Sequence, residues 1–125
     1  MNTILLVFDG IDMDLRRIAD IFDKADFFSE KLVAIEQPGG RLYVCEVIPI
    51  EEGTFDDWPD SRIPDEPRVF SVDFRAHAAV EDLVKGLARH HRFFVDNNFG
   101  RVYSQDEFLT AAADPSRRWW QEEVD

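Results

Sequence analysis

One cysteine, Cys45, is all the chain has in 125 residues. A lone thiol cannot close an internal disulfide, and it is more at home in a reducing compartment than in a secreted protein. Positive charge is the second shortage. Fourteen Lys and Arg stand against 26 Asp and Glu, for a net charge of −12 at pH 7. This balance argues against a nucleic-acid binder and against attraction to anionic membrane surfaces, since both depend on Lys and Arg. Long apolar runs are missing too. No stretch approaches the roughly 20 residues of a membrane-spanning helix. The opening run, residues 3–8, is short for a signal peptide's hydrophobic region, has no basic lead and meets Asp9 at once. A soluble, cytoplasmic protein with no nucleic-acid or membrane partner is the expectation.

What the chain does have is apolar mass. Hydrophobic residues make up 45% of it, with 11 Phe and three Trp, enough to exclude wholesale disorder. The length predicts a single domain over residues 1–125, burying roughly two-thirds of its unfolded surface. Residues 3–8 read as a strand ending at the turn signal Asp9-Gly10. Leu15, Ile18, Ala19, Phe22 and Ala25 follow at helical spacing, with Asp12 or Asp14 as the cap. Residues 31–36 and 41–48 read as a hairpin turned by Pro38-Gly39-Gly40. In its second strand either Leu42 and Val44 or Tyr43 and Cys45 face the core.

The order then repeats. Residues 68–74 form a strand with Phe70, Val72 and Phe74 inward, and Val80, Leu83, Val84 and Leu87 trace a helix. Residues 92–96 and 101–103 form short strands about the turn Asn97-Asn98-Phe99-Gly100. Ser104 and Glu107 have capping-box spacing ahead of Phe108, and Pro115 suits the first turn of a last short helix carrying Trp119 and Trp120. An α+β fold is expected, a mainly antiparallel sheet with helices packed on one face. Its order is compatible with a β-α-β-β duplication followed by a C-terminal helix.

Motifs of catalysis or metal binding are scarce. His77 and His91 lie about four helical turns apart, and His90 and His91 point roughly 100° apart. No His or Cys pair has ligand spacing, so neither a metal nor a cofactor is expected. Cys45 sits in an apolar strand with no His or Lys beside it, the setting of a buried structural thiol. No serine lies in Gly-x-Ser-x-Gly, and Gly39-Gly40 precedes no phosphate-loop lysine. Asp9, Asp12 and Asp14 open like a calcium loop. Counted from Asp9, however, the sixth position is Asp14 instead of Gly and the twelfth is Asp20 instead of Glu. No catalytic residue is assigned, and the chain is expected not to be an enzyme.

The strongest signal is a Pro-rich loop at residues 50–67. Glu51, Glu52, Asp56, Asp57, Asp60, Asp65 and Glu66 face one base, Arg62, so these 18 residues carry −6, half the net charge. Phe55, Trp58 and Ile63 are interleaved with the acids. Exposed aromatics among charges are how interface hot spots are built, although the same rings could fold inward to pin the loop. The candidate partner-binding residues are Glu51, Glu52, Asp56, Asp57, Trp58, Asp60, Asp65 and Glu66.

A small acidic chain with this loop, and with a segment 93–103 running into Asp106, Glu107 and Phe108, resembles the immunity proteins of bacterial polymorphic-toxin and contact-dependent inhibition systems. That resemblance implies a non-catalytic inhibitor whose carboxylates block a basic toxin domain, such as a nuclease, by standing where phosphates would sit. Two other readings stay open. One is an interaction or accessory module binding a partner, or a second copy, through a sheet edge or Trp119 and Trp120. The other is a small ligand-binding domain or metalloenzyme. The duplicated order is similar to the glyoxalase and bleomycin-resistance type, whose metal-binding His and Glu positions find no clear match here.

Overall fold

Alternation along the first strand decides the architecture. In β1 (Asn2–Asp9) Ile4, Leu6 and Phe8 turn to one side of the sheet and Leu5 and Val7 to the other. The computed structural model describes residues 1–10, 12–48 and 53–123. The further elements are α1 (Leu15–Ala19), β2 (Ala25–Ser29), β3 (Leu32–Gln37), β4 (Gly40–Val47), β5 (Pro67–Phe74), α2 (His77–Ala88), β6 (Phe93–Asp96), β7 (Val102–Ser104) and α3 (Gln105–Ala113). Short 3₁₀ turns occupy Asp60–Arg62 and Trp119–Gln121.

Among the described residues seven strands join one sheet, in the order β2-β3-β4-β5-β1-β6-β7, with every pairing antiparallel. The central pair runs from Asn2↔Phe74 to Asp9↔Pro67, so residues far apart in sequence make the longest ladder. The three helices among the described residues cover one face. Their apolar stripes meet Ile4, Leu6, Phe8, Val33, Ile35, Leu42, Val44, Phe70, Val72, Phe74, Phe93 and Val95, all at most 5% exposed. This is the expected α+β arrangement. In β4 it selects Leu42 and Val44 for the core, leaving Tyr43 and Cys45 half-buried on the opposite face. Cys45 is thus less buried than its apolar strand implied.

The first helix is shorter than its periodicity predicts. It stops at Ala19, capped by the Asp14 carboxylate, which accepts from the Arg17 N–H at 2.8 Å. Phe22 and Ala25 still face the core, but Ala25 does so from β2, a strand the sequence reading missed. Periods of 3.6 and 2 both place Ala25 inward, and a helix this short holds only by packing, so strand pairing with β3 wins. The halves consequently run β-α-β-β-β and β-α-β-β-α, which departs from a strict repeat. Moreover, β5 meets the last strand of the first half while β1 meets the first strand of the second.

Other boundaries follow local chemistry. The β3–β4 turn needs glycine because a Cβ on Gly39 would lie 2.7 Å from the Ala78 and Ala79 backbone at the start of α2. Ser104 and Glu107 form the full capping box of α3. Pro115 begins a turn, not a helix, because the Asp114 carboxylate captures the Ser116 N–H and hydroxyl. Beyond it Trp119 is fully buried against Phe74 and Phe108 and donates from Nε1 to Glu81 Oε2 at 2.9 Å. Trp120 stacks on His77 at 3.7 Å. Both tryptophans are used internally. Among the described residues no helix is long and apolar enough to cross a membrane.

Candidate functional site

The acidic loop lies against the sheet face that the helices leave bare. Val7 and Val69 on that face would meet water, and Trp58 closes over them at 6% exposure, with Phe55, Ile63, Phe94 and Val102 packed around. The ring centroid of Trp58 is 5.0 Å from Phe55 and 5.9 Å from Phe94, both edge-to-face. Its Nε1–H donates to Asp96 Oδ2 at 2.8 Å, which satisfies the one polar atom such a burial would otherwise strand. Of the two roles open to the aromatics, anchoring inward is the one Trp58 takes.

The backbone of the loop is also tied down. Gly53 supplies a turn at φ +62°, and the N–H groups of Asp56 and Trp58 donate to Gly53 and Phe55 carbonyls. The Arg62 N–H closes the 3₁₀ turn on Pro59. Arg62, the loop's single base, reaches Glu107 Oε1 at 2.5 Å and lies over the Phe94 ring. That guanidinium, with the Ser104 backbone N–H, holds the Glu107 carboxyl down at about 2. At the far end the Gly10 N–H donates to Glu66 O, and the Glu66 N–H to Asp9 Oδ1.

With the apolar residues inward, the carboxylates point out. Asp56, Asp57, Asp60, Asp65 and Glu66 are all exposed and make no ion pair among the described residues. Glu51 and Glu52 lie outside the described residues. The exposed five are not one cluster. Asp57 lines a cleft, Asp56 folds over Gly53, and Glu66 sits beside Asp9 at the other end.

That cleft, about 790 Å³, opens between the loop and the β6–β7 turn, with Leu5 at its floor. Its lining carries both signs of charge, Asp57, Asp96 and Glu107 with Arg62 and Arg101, and includes Phe99, which is 52% exposed. The turn is held by Asn97, which is buried. Its Oδ1 accepts from the N–H groups of Phe99, Gly100 and Arg101, and its Nδ2 donates to Trp119 O and Glu122 O. Sequence reasoning missed Arg62, Asp96, Phe99 and Arg101 as members of this site. Their contacts span up to 45 residues; the segment 93–103 and Glu107 stood out in the sequence, but nothing there joined them to the loop.

The remaining candidates stay apart. Asp14 is a helix cap and Asp9 a loop tie. His77 lies under Trp120 while His91 packs on Phe8, and burial lowers the pKa of both. Among the described residues no three His, Cys, Asp or Glu side chains are grouped to hold a metal ion. No family model, curated protein or solved structure matches this chain, so its site is read from its own geometry.

Proposed function

We propose that the chain is a non-catalytic binding protein whose acidic loop docks a basic protein partner, in the manner of an immunity protein inhibiting a toxin domain. One observation carries the reading: the loop seats its aromatics on the sheet and turns five unpaired carboxylates to solvent. The described part of the loop, residues 53–67, is tied by hydrogen bonds and packing, so it loses little freedom on binding and more of its interaction energy appears as affinity. Its unpaired charge speeds encounter with a cationic surface, most strongly at low salt. Phe99, exposed in the cleft lining, takes the hot-spot role that Trp58, being buried, does not. Against a nuclease, carboxylates so presented would occupy positions meant for substrate phosphates and block the groove without chemistry.

The test is capture of a basic protein from the native host on immobilised chain, repeated with the triple variant Asp56→Lys, Asp57→Lys, Asp60→Lys. The expected result is loss of the partner by the variant, and inhibition of the captured protein's activity by the wild type only. Equal capture by both proteins refutes the loop as the interface.

A further inference from the structure

The sheet has two edge strands among the described residues, β7 with three residues and β2 with five; β2 pairs with β3 on one side only. The Lys24 C=O accepts from the Glu36 N–H at 2.9 Å and so faces β3. Antiparallel alternation then turns the N–H and C=O of Ala25 and Phe27 outward, an edge able to template another strand. Charge says which strand. From Asp23 the chain reads Asp-Lys-Ala-Asp-Phe-Phe-Ser-Glu-Lys, ending at Lys31. Turned end for end about Phe27, the segment brings Lys24, just before the strand, toward Glu30 in the turn after it, and Asp23 toward Lys31, and the two-fold makes each approach twice.

All four side chains are exposed and make no ion pair among the described residues. Two of the chain's three lysines flank this one strand, on a molecule whose net charge of −12 would otherwise keep copies apart. Phe28 adds an apolar contact, 57% exposed with Arg41 over its ring at 5.9 Å. We infer that β2 pairs antiparallel with β2 of a second copy of this chain, centred on Phe27, so that the sheet continues across a two-fold axis. The β2–β3 register shifts between Phe27 and Ser29, which keeps the new ladder short and the dimer weak. A bulge shortens the strand by about one residue, ~3.3 Å, a gap that Lys and Glu side chains span.

Sedimentation velocity of the full chain tests this from about 10 µM to about 1 mM, the range for a small interface. The expected mass rises from 14.5 kDa toward twice that value. Lys24→Glu sets like charges together and should weaken the dimer about tenfold, while Lys24→Glu with Glu30→Lys restores it. Lys24 and Glu30 flank β2 at its opposite ends. Lys24→Glu with Glu123→Lys, which restores the same net charge away from this edge, should not bring the dimer back, so that rescue by Glu30→Lys alone reports contact between copies. A monomer at every concentration overturns the inference and leaves the lysines and the bulge as devices that block the edge. Failure of Glu30→Lys to rescue overturns it equally.

Discussion

Replacing Trp58 with phenylalanine separates the two tasks of this side chain. A phenyl ring replaces the larger indole and keeps part of the contact to Val7, Val69, Phe55 and Phe94, but the N–H to Asp96 Oδ2 at 2.8 Å is lost. A hydrogen bond to a charged acceptor is worth about 1.5–3 kcal/mol. Asp96 is half-buried and still accepts from the Asn98 N–H, so the lower part of that range applies, about 1.5 kcal/mol. Trp58→Ala also empties the space of the ring and should cost about 3–5 kcal/mol. Urea melts give both values, and hydrogen exchange shows where the loss falls. Because the loop closes on this one residue, the amides of Asp56, Trp58 and Arg62 should exchange faster in both variants, while those of the central β1–β5 ladder track global stability. A double-mutant cycle of Trp58→Phe with Asp96→Ala isolates the bond, with an expected coupling of about 1–2 kcal/mol. The reasoning fails if Trp58→Phe costs under about 0.5 kcal/mol and leaves loop exchange unchanged.

Further expectations concern the cleft's far wall and the C-terminal tail. Asn97→Asp keeps the three accepted bonds but turns an acceptor toward the Trp119 and Glu122 carbonyls, so it should cost about 3 kcal/mol or more in a thermal melt. A cost near zero would mean that the turn and the tail are not latched together. Glu122 is held down at about 2, first by the Arg117 guanidinium and also by the Tyr103 hydroxyl. A depressed carboxyl stabilises the fold above its unfolded value of 4.5, and that contribution disappears as pH falls through about 2. Wild type should therefore exceed Glu122→Gln in stability at neutral pH, with the gap closing between pH 4.5 and about 2 in melts across that window. A gap independent of pH would refute the assignment.

Elements whose signal is short-range were legible in the chain. Ser104 and Glu107 announce α3 because a capping box is complete within four residues, and Val80, Leu83, Val84 and Leu87 announce α2 by one apolar stripe. Phe70, Val72 and Phe74 gave the inner face of β5 by alternation alone. Where two patterns agree on burial but not on conformation, the reading failed. Ala25 satisfies helix and strand alike, and the chain became β2. Leu42 and Tyr43 satisfied alternation equally well, and only the neighbouring β5 chose between them.

The charge excess and its gathering in one Pro-rich stretch were fixed by the amino-acid sequence alone, as was the α+β character, since composition and local periodicity need no partner. Tertiary structure decided which way the loop's residues turn. Trp58 goes inward because Val7 and Val69, 51 and 11 residues away in the chain, present a bare apolar patch and Asp96 presents an acceptor for its indole. The loop's described acids, Asp56, Asp57, Asp60, Asp65 and Glu66, are left exposed. The cleft has the same origin, since Arg62 and Glu107 meet across 45 residues that no window on the sequence connects.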